Sequence, residues 1–98
     1  MIMKFPKKIV IGKTRYAIVR KTTRLSDLGC INFAEKTIYL SVKDARGNRL
    51  LNSEREETFW HEVIHGVLYD MKHKLCYNEQ FVTMFARRLS GAIKSAKF

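Results

Sequence analysis

His61-Glu62-Val63-Ile64-His65 is the arrangement in this chain most able to do chemistry. On a helix, four residues is slightly more than one turn, so both imidazoles leave the same side and can grip one Zn²⁺. Glu62 then stands beside the metal, where its carboxylate can serve as a base towards water. At about 100° per residue the two histidines fall just beyond one edge of an apolar arc, facing a groove beside the core.

A zinc site of this kind needs a third protein ligand, with a fourth position left open if the site is catalytic. Leu68 and Met71 stand where a metzincin extension would require Gly and His, which excludes that branch. Glu79, 14 residues after His65, is the chosen third ligand, because a second helix returning antiparallel would carry its carboxylate to the imidazoles. An acid in a first helical turn can instead serve only the helix dipole. A competing set is His73 with Cys76, which together with His61 and His65 would close the coordination shell and leave a structural, inert site. Asp70 is expected to be solvated or paired with a lysine, and Cys30 to be a small buried hydrophobe.

The elements that must position these residues are legible in the periodicities. Phe59, Trp60, Val63, Ile64, Val67, Leu68 and Met71 describe one broad apolar face of a helix beginning near Glu54, with Ser53 as its N-cap. A second helix starts at Asn78, with Phe81, Val82, Phe85, Ala86, Leu89 and Ile93 as its inner face. Upstream, the β-rich runs Ile9–Ile11 and Tyr16–Val19 flank Gly12-Lys13, and Cys30–Phe33 and Thr37–Leu40 flank Ala34–Lys36, which reads as two hairpins. Lys21–Leu28 and Lys43–Ser53 read as loops. The expected fold is α+β: a small twisted, mainly antiparallel sheet packed against two C-terminal helices. Its 98 residues allow one domain, residues 1–98, with a β-rich basic part (1–53) and two helices carrying the metal site (54–98).

The 19 Lys and Arg against 9 Asp and Glu give a net charge of +10. Twelve basic and three acidic residues precede Glu54, and from Glu54 onward there are seven and six, so the excess sits in the N-terminal half. Lys7, Lys8, Lys13, Arg15, Arg20, Lys21 and Arg24 could contact a nucleic acid there, or could simply solvate a sheet face. No aromatic interleaves with them along the chain in the manner of a base-stacking platform. Two cysteines are too few for a disulfide framework, no secretory leader or membrane span is evident, and a cytoplasmic protein with reduced thiols is expected.

Gly29, Phe33, Ile38 and Leu40, then Thr58 to Leu68 around His61-Glu62-Val63-Ile64-His65, then Asn78-Glu79-Gln80-Phe81-Val82 with Phe85 to Leu89, together resemble the minimal gluzincin-type metallopeptidases. The chain is similar to the short zincins of phages and mobile elements and, more remotely, to ImmA/IrrE and SprT-type domains. That resemblance implies a zincin-like fold, His61, His65 and Glu79 as zinc ligands and Glu62 as general base. It also implies an extended peptide or protein substrate paired along the strand around Ile31–Phe33. The implied activity is a zinc metalloendopeptidase acting on a cellular or phage regulatory protein, in the host cytoplasm if phage-encoded. The alternative is an inactive zinc-binding regulatory or nucleic-acid-associated small basic protein. Tyr69, His73 and Tyr77 are the candidates to stabilise a transition state.

Overall fold

A computed structural model describes residues 5–21, 28–43 and 46–97. The elements run β1 (Lys8–Ile11), β2 (Thr14–Lys21), β3 (Gly29–Asn32), β4 (Thr37–Ser41), α1 (Asn52–Asp70) and α2 (Glu79–Ser95). The fold is α+β, as the two periodicities require. Arg24 and the rest of residues 22–27 lie outside the described residues.

Both hairpins form. Ile11 pairs with Thr14 across a two-residue loop, and Gly12, at φ 63°, supplies the positive φ that such tight turns need at their first position. The sheet order is β1-β2-β4-β3, with β1/β2 and β3/β4 antiparallel but β2/β4 parallel, so the sheet is mixed. This arrangement leaves β3 at an edge. Alternation then sorts the side chains: Ile11, Tyr16, Ile38 and Leu40 are buried on one face, while Lys8, Val10, Arg15 and Val19 stand exposed on the other.

α1 covers the buried face. Phe59 and Val63 join the sheet residues in one core, whereas Ile64 and Leu68 form a second core with Cys76, Val82 and Ala86. Gly66 makes the first contact close: a Cβ there would stand 2.7 Å from Ile11 Cδ1 and 3.2 Å from Ile31 Cδ1. Contrary to the expectation of two helices on the sheet, α2 packs on α1 alone among the described elements. Its inner stripe is accordingly narrow, Val82, Ala86 and Ser90, and Phe85 and Ile93 are exposed. Val67 and Met71 of α1 are exposed too. No helix among the described residues is long and apolar enough to cross a membrane.

One boundary differs from the sequence reading. α1 begins at Asn52, so Ser53 lies inside its first turn, and Glu54 Oε1 accepts the Leu51 N–H at 3.3 Å to satisfy the start. Its end is a Schellman motif: Lys72 N–H donates to the Tyr69 carbonyl at 3.0 Å and His73 N–H to the Leu68 carbonyl at 2.9 Å. Lys72 takes the left-handed position at φ 54°, where glycine is usual. Lys72→Gly should therefore stabilise the fold by about 1 kcal/mol, net of the added freedom of the unfolded chain. Calorimetry should show a melting temperature higher by roughly 4–8 °C; an unchanged or lower value would mean that the loop, not the helix end, sets this conformation.

Candidate metal centre

The helical spacing works as expected: the rings of His61 and His65 stand 4.8 Å apart, tilted 64° to each other, on the side of α1 nearest β3. The Schellman turn then starts a tight connection, in which Cys76 N–H donates to the His73 carbonyl and Asn78 N–H to the Leu75 carbonyl. Asn78 ends it as the N-cap of α2, its Oδ1 accepting Phe81 N–H at 2.9 Å. Glu79 is consequently the first residue of α2, aimed back at α1. The pairs Arg87–Glu57 and Lys94–Glu56, at 3.8 and 3.6 Å, show α2 running antiparallel from there.

Glu79 Oε2 lies 2.9 Å from His61 Nε2, Oε1 lies 2.9 Å from His65 Nε2, and the two Nε2 atoms are 3.2 Å apart. The other nitrogen of His65 decides what this cluster can bind. Nδ1 sits at hydrogen-bond distance from the Cys76 carbonyl, an acceptor only, so Nδ1 carries a proton and Nε2 is the nitrogen left to ligate. Two imidazole nitrogens and a carboxylate thus converge on one point, a set that either a proton on a ring Nε2 or a cation between the three groups would hold together. Zinc–nitrogen and zinc–oxygen bonds of about 2.0–2.2 Å in a tetrahedral shell separate neighbouring donors by roughly 3.3 Å. The observed separations approach that value, and the donor set fits zinc.

The cluster opens on a cleft of about 660 Å³ between α1, α2 and the edge of the sheet. Glu62 lines it and is only 6% exposed. The opposite wall is β3, from Leu28 through Ile31, with Phe33 beyond its end. Gly29 lets that wall come close, because a Cβ would stand 2.7 Å from Thr58 Cγ2 and 3.0 Å from the Tyr39 carbonyl. Thr58, one turn before His61, also lines the cleft and was not singled out from sequence. A glycine directly after His65 in mid-helix was a readable signal of close packing, since it costs about 1 kcal/mol against alanine unless something needs the space.

The competing ligands are placed elsewhere. His73 Nδ1 accepts Leu75 N–H at 3.1 Å, holding the connection rather than joining the cluster. The Cys76 thiol is buried, donates to the His65 carbonyl at 3.5 Å, and is pushed up in pKa by that burial, so it stays protonated at neutral pH. The only group of three or more potential ligands among the described residues is His61, His65 and Glu79. Asp70 is exposed, its carboxylate lying against Gly12. Cys30 is not a buried hydrophobe: position 30 faces outward from an edge strand, and the residue is exposed. Tyr69 stacks on Phe33 at 3.8 Å, whereas Tyr77 lines the cleft.

Comparison of the chain with protein-family models, curated proteins and solved structures finds no match in any of the three. The resemblance to minimal gluzincins therefore stands on the residues and their arrangement alone.

Purified protein should carry one zinc per chain by elemental analysis. Glu79→Ala should weaken zinc binding by at least 10–100-fold in chelator competition, and Cys76→Ala and His73→Ala should keep full stoichiometry. The reverse pattern, zinc lost with Cys76 and retained without Glu79, would replace this donor set with the closed one.

Proposed function

We propose that this protein is a zinc-dependent endopeptidase that hydrolyses peptide bonds of an extended protein segment. The observation that carries this reading is the convergence of His61, His65 and Glu79 at the floor of a cleft that also holds a buried carboxylate and an edge strand. A closed structural site would need a fourth protein ligand, and the described residues offer none there.

His61 Nε2, His65 Nε2 and the Glu79 carboxylate would hold the ion. Zinc bound there supplies Lewis acidity, which lowers the pKa of water to about 7 and polarises a carbonyl. Glu62, next to His61 and screened from bulk solvent, accepts a proton from the attacking water and returns it to the amide nitrogen that leaves. The substrate backbone pairs along the edge strand Gly29–Asn32, which lays the scissile bond across the cleft. Tyr77, 73% exposed and free of the packing that holds Tyr69, presents its O–H to the oxygen that gains charge. By the resemblance, the substrate is a cellular or phage regulatory protein and the compartment the cytoplasm.

Glu62→Gln should keep its zinc and fold and lose hydrolysis by about 10²–10⁴-fold, read on a peptide library by mass spectrometry. Tyr77→Phe should lower kcat by roughly 10–100-fold with KM little changed, as expected for a donor engaged only in the transition state. A Glu62→Gln variant as fast as wild type would sink the mechanism. Wild-type protein that holds zinc and cleaves nothing in the library would instead favour a zinc-bound regulatory domain without turnover.

A further inference from the structure

The sheet has a second face that the proposed cleft does not use. Strand parity places Lys8 and Val10 of β1, Arg15, Ala17, Val19 and Lys21 of β2, Tyr39 of β4 and Cys30 of β3 on it. Both helices lie on the other side, and no described element covers this one. Val10 is 60% and Val19 38% exposed. The first two strands carry charge of one sign: between residues 5 and 21 Lys7, Lys8, Lys13, Arg15, Arg20 and Lys21 occur with no acid. The acids of the described chain collect instead on the helices, apart from Glu35 in the β3–β4 hairpin. None of the ion pairs among the described residues involves Lys8, Arg15 or Lys21.

The parallel pairing of β2 with β4 adds what the linear sequence lacked. It sets Val19 opposite Tyr39, and Lys21 Nζ lies 4.2 Å above the Tyr39 ring. The ring is fixed from its far end, where the hydroxyl donates to Glu35 Oε1 at 2.8 Å. A sheet face with an anchored aromatic ring, exposed aliphatic side chains and cations outside the ion pairs of the described residues suits bases lying on the sheet with phosphates at the cations. We propose that this open sheet face binds single-stranded nucleic acid, with Tyr39 as a stacking platform once Lys21 swings to a phosphate, and Lys8, Arg15 and Lys21 as the backbone contacts. A duplex is too wide and too stiff to lay its bases on such a face, and an acidic peptide would leave the ring without a stacking partner.

The test is fluorescence anisotropy of a labelled mixed-sequence 20-mer single strand with the full chain, across a salt series. Each single-strand phosphate contact contributes a slope of about −0.7 in log K against log salt, so three contacts amount to about 100-fold at 0.1 M salt. The triple variant Lys8→Glu, Arg15→Glu, Lys21→Glu should lose at least that factor. Charge-matched reversal on the helical side, Lys74→Glu, Arg88→Glu, Lys97→Glu, should lose less than about 5-fold. Tyr39→Leu should weaken binding about 10-fold and Tyr39→Phe hardly at all, since the ring and not the hydroxyl meets the base. If the charge reversals unfold the sheet by circular dichroism, the neutral Lys8→Gln, Arg15→Gln, Lys21→Gln triple reads the same contacts. Equal losses from both faces, or tighter binding to the 20-base-pair duplex, to polyglutamate or to phosphatidylserine vesicles, would overturn the assignment.

Discussion

One helix has to satisfy two apolar neighbours at once, and the position of everything else follows from that. On α1, Phe59, Val63 and Gly66 meet the sheet, and Ile64 and Leu68 meet α2. At about 100° per residue these two rows lie roughly 150° apart. The remaining circumference is divided into two grooves. In one, Val67 and Met71 are left exposed; in the other stand Thr58, His61 and His65. The polar groove is thus framed by two packed interfaces and needs no loop to shape it, which gives side chains on it the fixed directions that ligation demands.

Those directions bring three polar groups of the two helices to one point. His65 donates from Nδ1 to the Cys76 carbonyl, which leaves Nε2 as the nitrogen that faces Glu79. The carboxylate belongs to the first residue of α2, where the positive end of the helix already favours it. Asn78 and the Schellman turn hold that helix start in place before any ion arrives. On the proposed reading, a cation on the three donors would tie α2 to α1 a second time, which matters in a chain of 98 residues because a domain this small buries a modest core and gains more from a metal than a large one.

How much of this the sequence disclosed depended on whether the signal was local. The two histidines, the N-cap at Asn78 and Glu79 after it were readable because helical spacing and capping act within a turn or two. The α+β fold was readable for the same reason, from a period of two giving way to 3.6. What failed was partner choice. Phe85 and Ile93 sit at helical spacing with Val82 and Ala86, and only the fact that α2 touches α1 alone exposes them. The parallel pairing of β2 with β4 carries no mark in either strand, because alternation fixes which face a residue takes and not which strand lies beside it. Cys30 was misplaced because a small apolar residue in a strand looks the same whether the strand is central or at an edge. The Cys76 carbonyl, which sets the His65 tautomer, belongs to the backbone and has no signature at all.

The edge strand shows how few residues this economy needs. β3 is four residues long, and its three directions serve three ends. Ile31 turns inward, where it is partly buried against the main core and close enough that Gly66 opposite cannot bear a Cβ without displacing it. Cys30 pairs with Tyr39 and turns outward to the open face. In the plane of the sheet, with β4 on one side only, the backbone presents its remaining N–H and C=O groups to the cleft. A strand at the edge of a sheet is an aggregation hazard that proteins ordinarily blunt with charge, proline or a bulge, and Gly29–Asn32 has no charge and no proline. The same backbone groups that make an edge hazardous make it a template for an extended chain. On the proposed function, this edge beside His61, Glu62 and His65 would be where an extended peptide pairs, and the cleft it borders would be the reason that it carries no guard.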